Sequence, residues 1–218
     1  MNLKLFLSNF KRNPKREIEF DDAFENRSRF LTKNSELAEF LKILAGSTFE
    51  DGLYRIHTFS TALLWTIYIT GYFKRYKGKI YCFAFDWLGR QFAIHKNQPQ
   101  IILMFDPATA EVFELNVNLL EFHNTNLVNN KEGNLLATEF KLYTKELHDM
   151  LNFTQCVGFK IPLLLGGLDN LENYETIDMA VYWETNFQIY QKINHLPPET
   201  IIGKIDFKDI DQNLDLLN

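Results

Sequence analysis

The stretch GKIYCFAFDWLGRQFAIHKNQPQIILMFDPATAEVFELNV, Gly78 to Val117, decides the fold. Four runs in it are rich in β-branched and aromatic residues: Lys79 to Phe85, Arg90 to His95, Gln100 to Phe105 and Glu111 to Val117. Such runs, bounded by turn-forming residues, read as strands. The joints are Asp86-Trp87-Leu88-Gly89, Lys96 to Pro99, and Asp106-Pro107-Ala108-Thr109. Connections this short join antiparallel neighbours and leave no room for crossover helices. The centre of the chain is therefore an antiparallel meander.

Working outward toward the N-terminus, Thr58 to Phe73 carries no charge. It is broken by hydroxyls and shorter than the roughly 20 apolar residues of a membrane span, so it reads as a core helix capped by Thr58 or Ser60, with a strand-like alternation at Leu63, Trp65, Ile67 and Ile69. Leu53 to Ile56 forms a short strand after the Asp51-Gly52 turn. Leu37, Phe40, Leu41 and Leu44 recur at helical spacing, with Ser35 as N-cap and Gly46 as stop. Residues 1–33 hold Lys4, Lys11, Arg12, Lys15 and Arg16 and then Glu17, Glu19, Asp21, Asp22 and Glu25, a charged segment set apart from the domain.

Toward the C-terminus, Asn118 to Leu127 and Leu135 to Leu147 read as helices with a loop over 129–134. Met179 to Trp183 reads as a strand, and Thr200 to Phe207 as a last edge strand. The expected class is α+β: a central, mainly antiparallel sheet flanked by helices in one domain over 34–207, followed by an acidic tail over 208–218. Phe40, Leu44, Trp65, Phe83, Phe85, Ile94, Leu103, Phe105 and Leu164 are the expected core.

Composition excludes several functions. The chain has 218 residues, with 23 Lys+Arg against 28 Asp+Glu and a net charge of −5. A protein built to displace counterions from nucleic acid needs the opposite balance, so nucleic acid is not the expected partner. The two cysteines, Cys82 and Cys156, sit in apolar runs and read as buried free thiols of a reducing compartment. No leader sequence or membrane segment is evident, and the expected location is the cytoplasm.

Chemistry-bearing motifs are sparse. The five histidines (His57, His95, His123, His148, His195) include no helical zinc pair, so no metal or cofactor is expected. Asp86, His95, Asp106 and His123 are the acid–base set that a small-molecule enzyme would draw on. Leu165-Gly166-Gly167-Leu168-Asp169-Asn170 offers either a tight turn or an anion-binding loop of a ligand-binding regulatory module, with Asp169 and Glu172 opposing phosphate. Asp86-Trp87-Leu88-Gly89-Arg90 is either a hairpin turn with Trp87 capping the core, or a recognition surface carrying Trp and Arg anchors.

Four fragments together carry a resemblance. They are Asp51-Gly52-Leu53-Tyr54-Arg55-Ile56, Phe85-Asp86-Trp87-Leu88-Gly89-Arg90-Gln91-Phe92-Ala93, Glu121-Phe122-His123-Asn124, and Val157 to Gly167 with Val181-Tyr182-Trp183 beyond. Their order and spacing resemble bacterial proteins with a GAD-like N-terminal part (about 34–97) and a C-terminal part of the type VI DNase-immunity (Tdi1) kind (about 98–195), a group similar to the Smi1/Knr4-like (SUKH) immunity proteins. The resemblance implies a non-enzymatic cytoplasmic protein that binds and neutralises a cognate secreted toxin. A nuclease toxin is basic where it meets phosphate, so carboxylates are suitable decoys. Residue type and spacing nominate Asp86, Asp169, Glu172, Glu175 and Glu184, around Trp87, Arg90 and Trp183, as the partner-binding set.

Overall fold

A computed structural model describes residues 1–14, 35–145, 150–197 and 200. Six strands run in chain order across one antiparallel sheet: β1 (Thr48–Phe49), β2 (Tyr54–Ile56), β3 (Ile80–Asp86), β4 (Gln91–His95), β5 (Gln98–Phe105) and β6 (Val112–Leu115). Every joint of the expected meander is a turn between neighbours. A separate hairpin pairs β7 (Gln155–Phe159) with β8 (Tyr174–Asp178). With its helices this is an α+β fold around a central sheet.

The helices cover both faces. On one lie α1 (Lys4–Asn9), α2 (Ser35–Leu44) and α4 (Leu119–Glu121), the last continuing as a π-helical turn over Phe122–Leu127. On the other lie α3 (Phe59–Tyr72) and α7 (Met179–Ile193), joined through Trp65, Tyr72 and Trp183, whose rings stand 6.2 and 5.9 Å from one another across Trp183. The helix reading of 58–73 prevails over the strand-like alternation because of its start. Thr58 accepts the Thr61 amide and Thr61 returns a bond to the Thr58 amide, a capping box that fixes the first turn.

One irregularity decides which side chain faces which layer. The β3–β4 register slips between Cys82 and Ala84, so Phe83 is the extra residue of a bulge. Without the slip, Phe83 and Phe85 would share a face. With it, Phe83 packs against Phe40, Phe122 and His123, while Phe85 packs against His57 and Phe153 on the other side.

Several expectations need correction. Met179 to Trp183 opens a helix. Asp178 ends β8 and accepts the Ala180 and Val181 amides, and Met179, Tyr182, Trp183, Asn186 and Ile189 then form one buried stripe. The 129–134 loop contains α5 (Lys131–Leu135), capped by Asn130. It is separated from α6 (Ala137–Thr144) by Leu136 in the left-handed region, at φ 51°. The N-terminal segment is no charged appendage as far as it is described: Leu3, Phe6 and Phe10 are in the core, and Arg12 bridges to Phe49. Eight of the nine expected core residues are buried; Leu164 is only half-buried, in a loop that leaves the sheet. The expected strand over 200–207 and the tail lie outside the described residues, Thr200 excepted.

Candidate functional site

The Asp86–Arg90 turn is an interior clasp. Gly89 takes φ +76° to close it, and a Cβ there would stand 3.1 Å from Cys156 Sγ. The Asp86 carboxylate accepts the Leu88 and Arg90 amides and the Arg90 guanidinium, the closest contact at 2.6 Å. Arg90 also donates to the Asn134 carbonyl at 2.9 Å, which ties α5 to the turn. Arg55, fully buried, lies over the Phe85 ring and donates to the carbonyls of Asn152, Gln155 and Asp86 at 2.6 to 3.0 Å. The Val157 amide donates to the Trp87 carbonyl at 2.7 Å, and Trp87 Nε1 to the Leu135 carbonyl at 2.7 Å. Burial pushes the Asp86 carboxyl up, against the pull of Arg90. These groups knit sheet, hairpin and α5 together.

Four of the nominated contact residues are therefore interior. Asp86 and Trp87 have no exposed surface, Trp183 has 1% and Arg90 has 7%. The Trp183 indole donates to the Gly89 carbonyl, which explains its burial. A buried anchor presents nothing to a partner, so the turn reading of 86–90 replaces the recognition reading. Glu184 is half-buried and engaged by the Tyr72 hydroxyl at 2.9 Å and Gln188 at 2.6 Å. Asp169 and Glu172 are exposed and Glu175 is half-buried.

Of the acid–base set, the two carboxylates come near each other: burial raises the Asp106 carboxyl, Arg90 pulls it down and Asp86 adds a smaller rise, while the two histidines lie elsewhere. His95 pairs with Ile80 at the far end of β3 from Asp86, about 20 Å away at ~3.3 Å per residue. His123 is enclosed by Phe6, Phe40, Phe83 and Phe122, with Nδ1 on the Leu119 carbonyl at 2.7 Å and Nε2 on the Tyr54 hydroxyl at 3.1 Å. Nδ1 is thus the donor, and Nε2 accepts the phenolic proton. Burial lowers His123 to about 4 and His57 to about 3, so both rings are neutral at pH 7. Among the described residues, no three His, Cys, Asp or Glu side chains gather as a metal ion would require.

The exposed remainder is the loop between β7 and β8. Ile161, Leu165, Leu168 and Leu171 are 58%, 38%, 69% and 43% exposed, and Asp169 and Glu172 stand among them. The loop is held rigidly. Asn173, buried beneath it, accepts the Ile161 amide and donates to the Ile161 and Leu168 carbonyls, all within 2.9 Å. Lys160 Nζ donates to the Glu172 carbonyl at 2.7 Å. Gly167 passes so near Ile161 that a Cβ would lie 1.9 Å from its carbonyl oxygen. The Gly166 and Gly167 amides are spent on Leu163 and Pro162 carbonyls, which leaves the turn reading rather than an anion cradle. The Tyr174 hydroxyl stands 3.0 Å from Asp169 and 3.1 Å from Glu139 of α6; its single proton is shared between two carboxylates, which raises the phenol's pKa further above the rise that burial sets.

The tight turn expected at Gly166-Gly167 is present and the nominated Asp169 and Glu172 are exposed; the exposure of Ile161, Leu165, Leu168 and Leu171 around them is what the sequence reading does not contain.

No family model and no curated protein matches the chain. The fold is similar to a solved structure titled "Crystal structure of Atu4351 from Agrobacterium tumefaciens", with a TM-score of 0.62 and 15% identity over 86% of this chain and 89% of that one. That likeness concerns the fold alone. Among the described residues, no helix is long and apolar enough to cross a membrane.

Proposed function

We propose that this chain is an immunity protein that neutralises a cognate secreted toxin by binding and covering it, without chemistry of its own. One observation carries the reading: the 160–173 loop presents four exposed aliphatic side chains and two carboxylates on a frame fixed by Asn173 and Gly167. Apolar side chains exposed together mark an interaction surface, and a preformed one loses little entropy on binding. The carboxylates steer a basic partner, as a nuclease groove would be, and the leucines fill its floor. The sequence resemblance to the Tdi1-type and SUKH groups points the same way.

The test is a toxin-activity titration with the product of the neighbouring gene. Inhibition is complete at about one equivalent and persists only while the complex does. The pair Asp169→Lys with Glu172→Lys slows association, most at low salt. Permanent loss of toxin activity at trace amounts of this protein would replace blocking by an enzymatic mechanism, and failure of that toxin to bind would remove the assignment.

A further inference from the structure

We propose that the groove between the ends of α3 and α7 takes the acidic loop of a second copy of this chain, giving head-to-tail self-association. The groove is an open one of about 650 Å³. Its wall is a row of touching rings: Tyr72 and Phe187 centroids are 4.4 Å apart, Phe187 and Tyr190 6.1 Å. Phe113, 42% exposed, lines it from β6.

The rim is basic. Lys74 and Arg75 line the groove, and Lys77 and Lys79 follow in the next turn. All four are exposed, and none makes an ion pair among the described residues. Glu111 is the single carboxylate in the lining. Four cations within 74–79 stand out in a chain of net charge −5.

The matching occupant lies elsewhere on the same chain. Leu168 and Leu171 are exposed apolar knobs, and Asp169 and Glu172 are exposed carboxylates beside them. Leucines suit the aromatic wall, and the two carboxylates suit Lys74 and Arg75. One molecule does not satisfy both surfaces itself. The groove is at the C-terminal end of α7, whereas the loop leads through β8 into its N-terminal end, and Met179–Ile193 spans about 21 Å at ~1.5 Å per residue. The contact joins two different surfaces, so it is heterologous. A nucleic-acid strand is disfavoured by Glu111 and by the net charge.

Sedimentation equilibrium of the full chain alone tests this, separately from any toxin. The average mass rises with concentration and falls as salt is raised. Lys74→Glu with Arg75→Glu, and Asp169→Lys with Glu172→Lys, each weaken association at least about tenfold, with unchanged circular dichroism. Leu168→Ser, at a 69% exposed position, gives the same loss without touching the Asp169–Tyr174 bond. An equimolar mixture of the two charge-reversed proteins regains association, because the retained loop of one meets the retained groove of the other and the two reversed surfaces are again opposite in charge. A chain that is monomeric at all concentrations overturns the proposal, as does self-association that the charge reversals leave intact.

Discussion

Acid should begin to destabilise this protein below about pH 6.5, before most carboxylates titrate, because two neutral imidazoles are sealed in its interior. His57 and His123 are both fully buried. His57 Nε2 meets Gln91 Oε1 at 2.9 Å, and burial lowers the ring from 6.5 to about 3; His123 falls to about 4 for the same reason. A lowered folded-state pKa means that the unfolded chain takes up protons first. The histidines' contribution is therefore complete above about pH 6.5 and is withdrawn as pH falls. Each ring withdraws about 1.4 kcal/mol per pH unit, so between pH 6.5 and 4 each removes about 3 kcal/mol and the pair about 6. That is a large part of the ~5–15 kcal/mol that holds a typical domain together. The Asp86 and Asp106 carboxyls, pushed up by burial, act in the opposite sense at the low end and soften the fall. Urea unfolding followed by tryptophan fluorescence at half-unit pH steps measures the slope. His123→Gln, which keeps an amide in reach of Leu119 and Tyr54, should remove about half of it. A stability that stays flat from pH 7 to 4.5 would refute the assignment of both rings as buried and neutral.

Phe85→Ala should cost about 3–5 kcal/mol, because the ring is buried between Arg55, His57 and Phe153; thermal melting checks it, and an unchanged midpoint would contradict the bulge-determined face. Arg55→Met should free the 152–155 carbonyls from the sheet and cost about 3 kcal/mol or more, seen as faster amide exchange in β7 and β8 than in β3. Gly167→Ala should displace the loop from Ile161, lower the melting midpoint, and weaken binding of the proposed partner by at least about tenfold, measured by calorimetry below the midpoint.

Much of the fold was legible because it rests on local pattern. Short turns between β-rich runs specify a meander without reference to anything distant, and Thr58 with Thr61 specifies a helix start within four residues. The misreadings share a cause. Met179 to Trp183 is β-prone by composition, and only the Asp178 cap, together with a stripe running to Ile189, makes it helical. Phe83 and Phe85 are both buried as expected, but a bulge that no residue type announces sends them to opposite faces.

The site was less legible, and Asp86 shows why. An Asp-Trp-Leu-Gly-Arg turn reads alike whether it is solvated or enclosed, since its own hydrogen bonds are the same in both cases. What encloses it arrives from far along the chain: Arg55 from β2, Leu135 and Asn134 from α5, Val157 from β7 and Trp183 from α7. The loop at 160–173 is legible in part: its glycine turn and its exposed Asp169 and Glu172 are read from the sequence, but the exposure of its leucines is not, because apolar residues are mostly core while a folded surface still keeps many apolar atoms. The structure places Asn173, not a leucine, beneath the turn, so the polar residue is buried and the apolar ones are left outside. The Asn173 bonds hold the loop, but the exposed area of the leucines contributes no burial of its own, and it is this area that the proposed partner would cover.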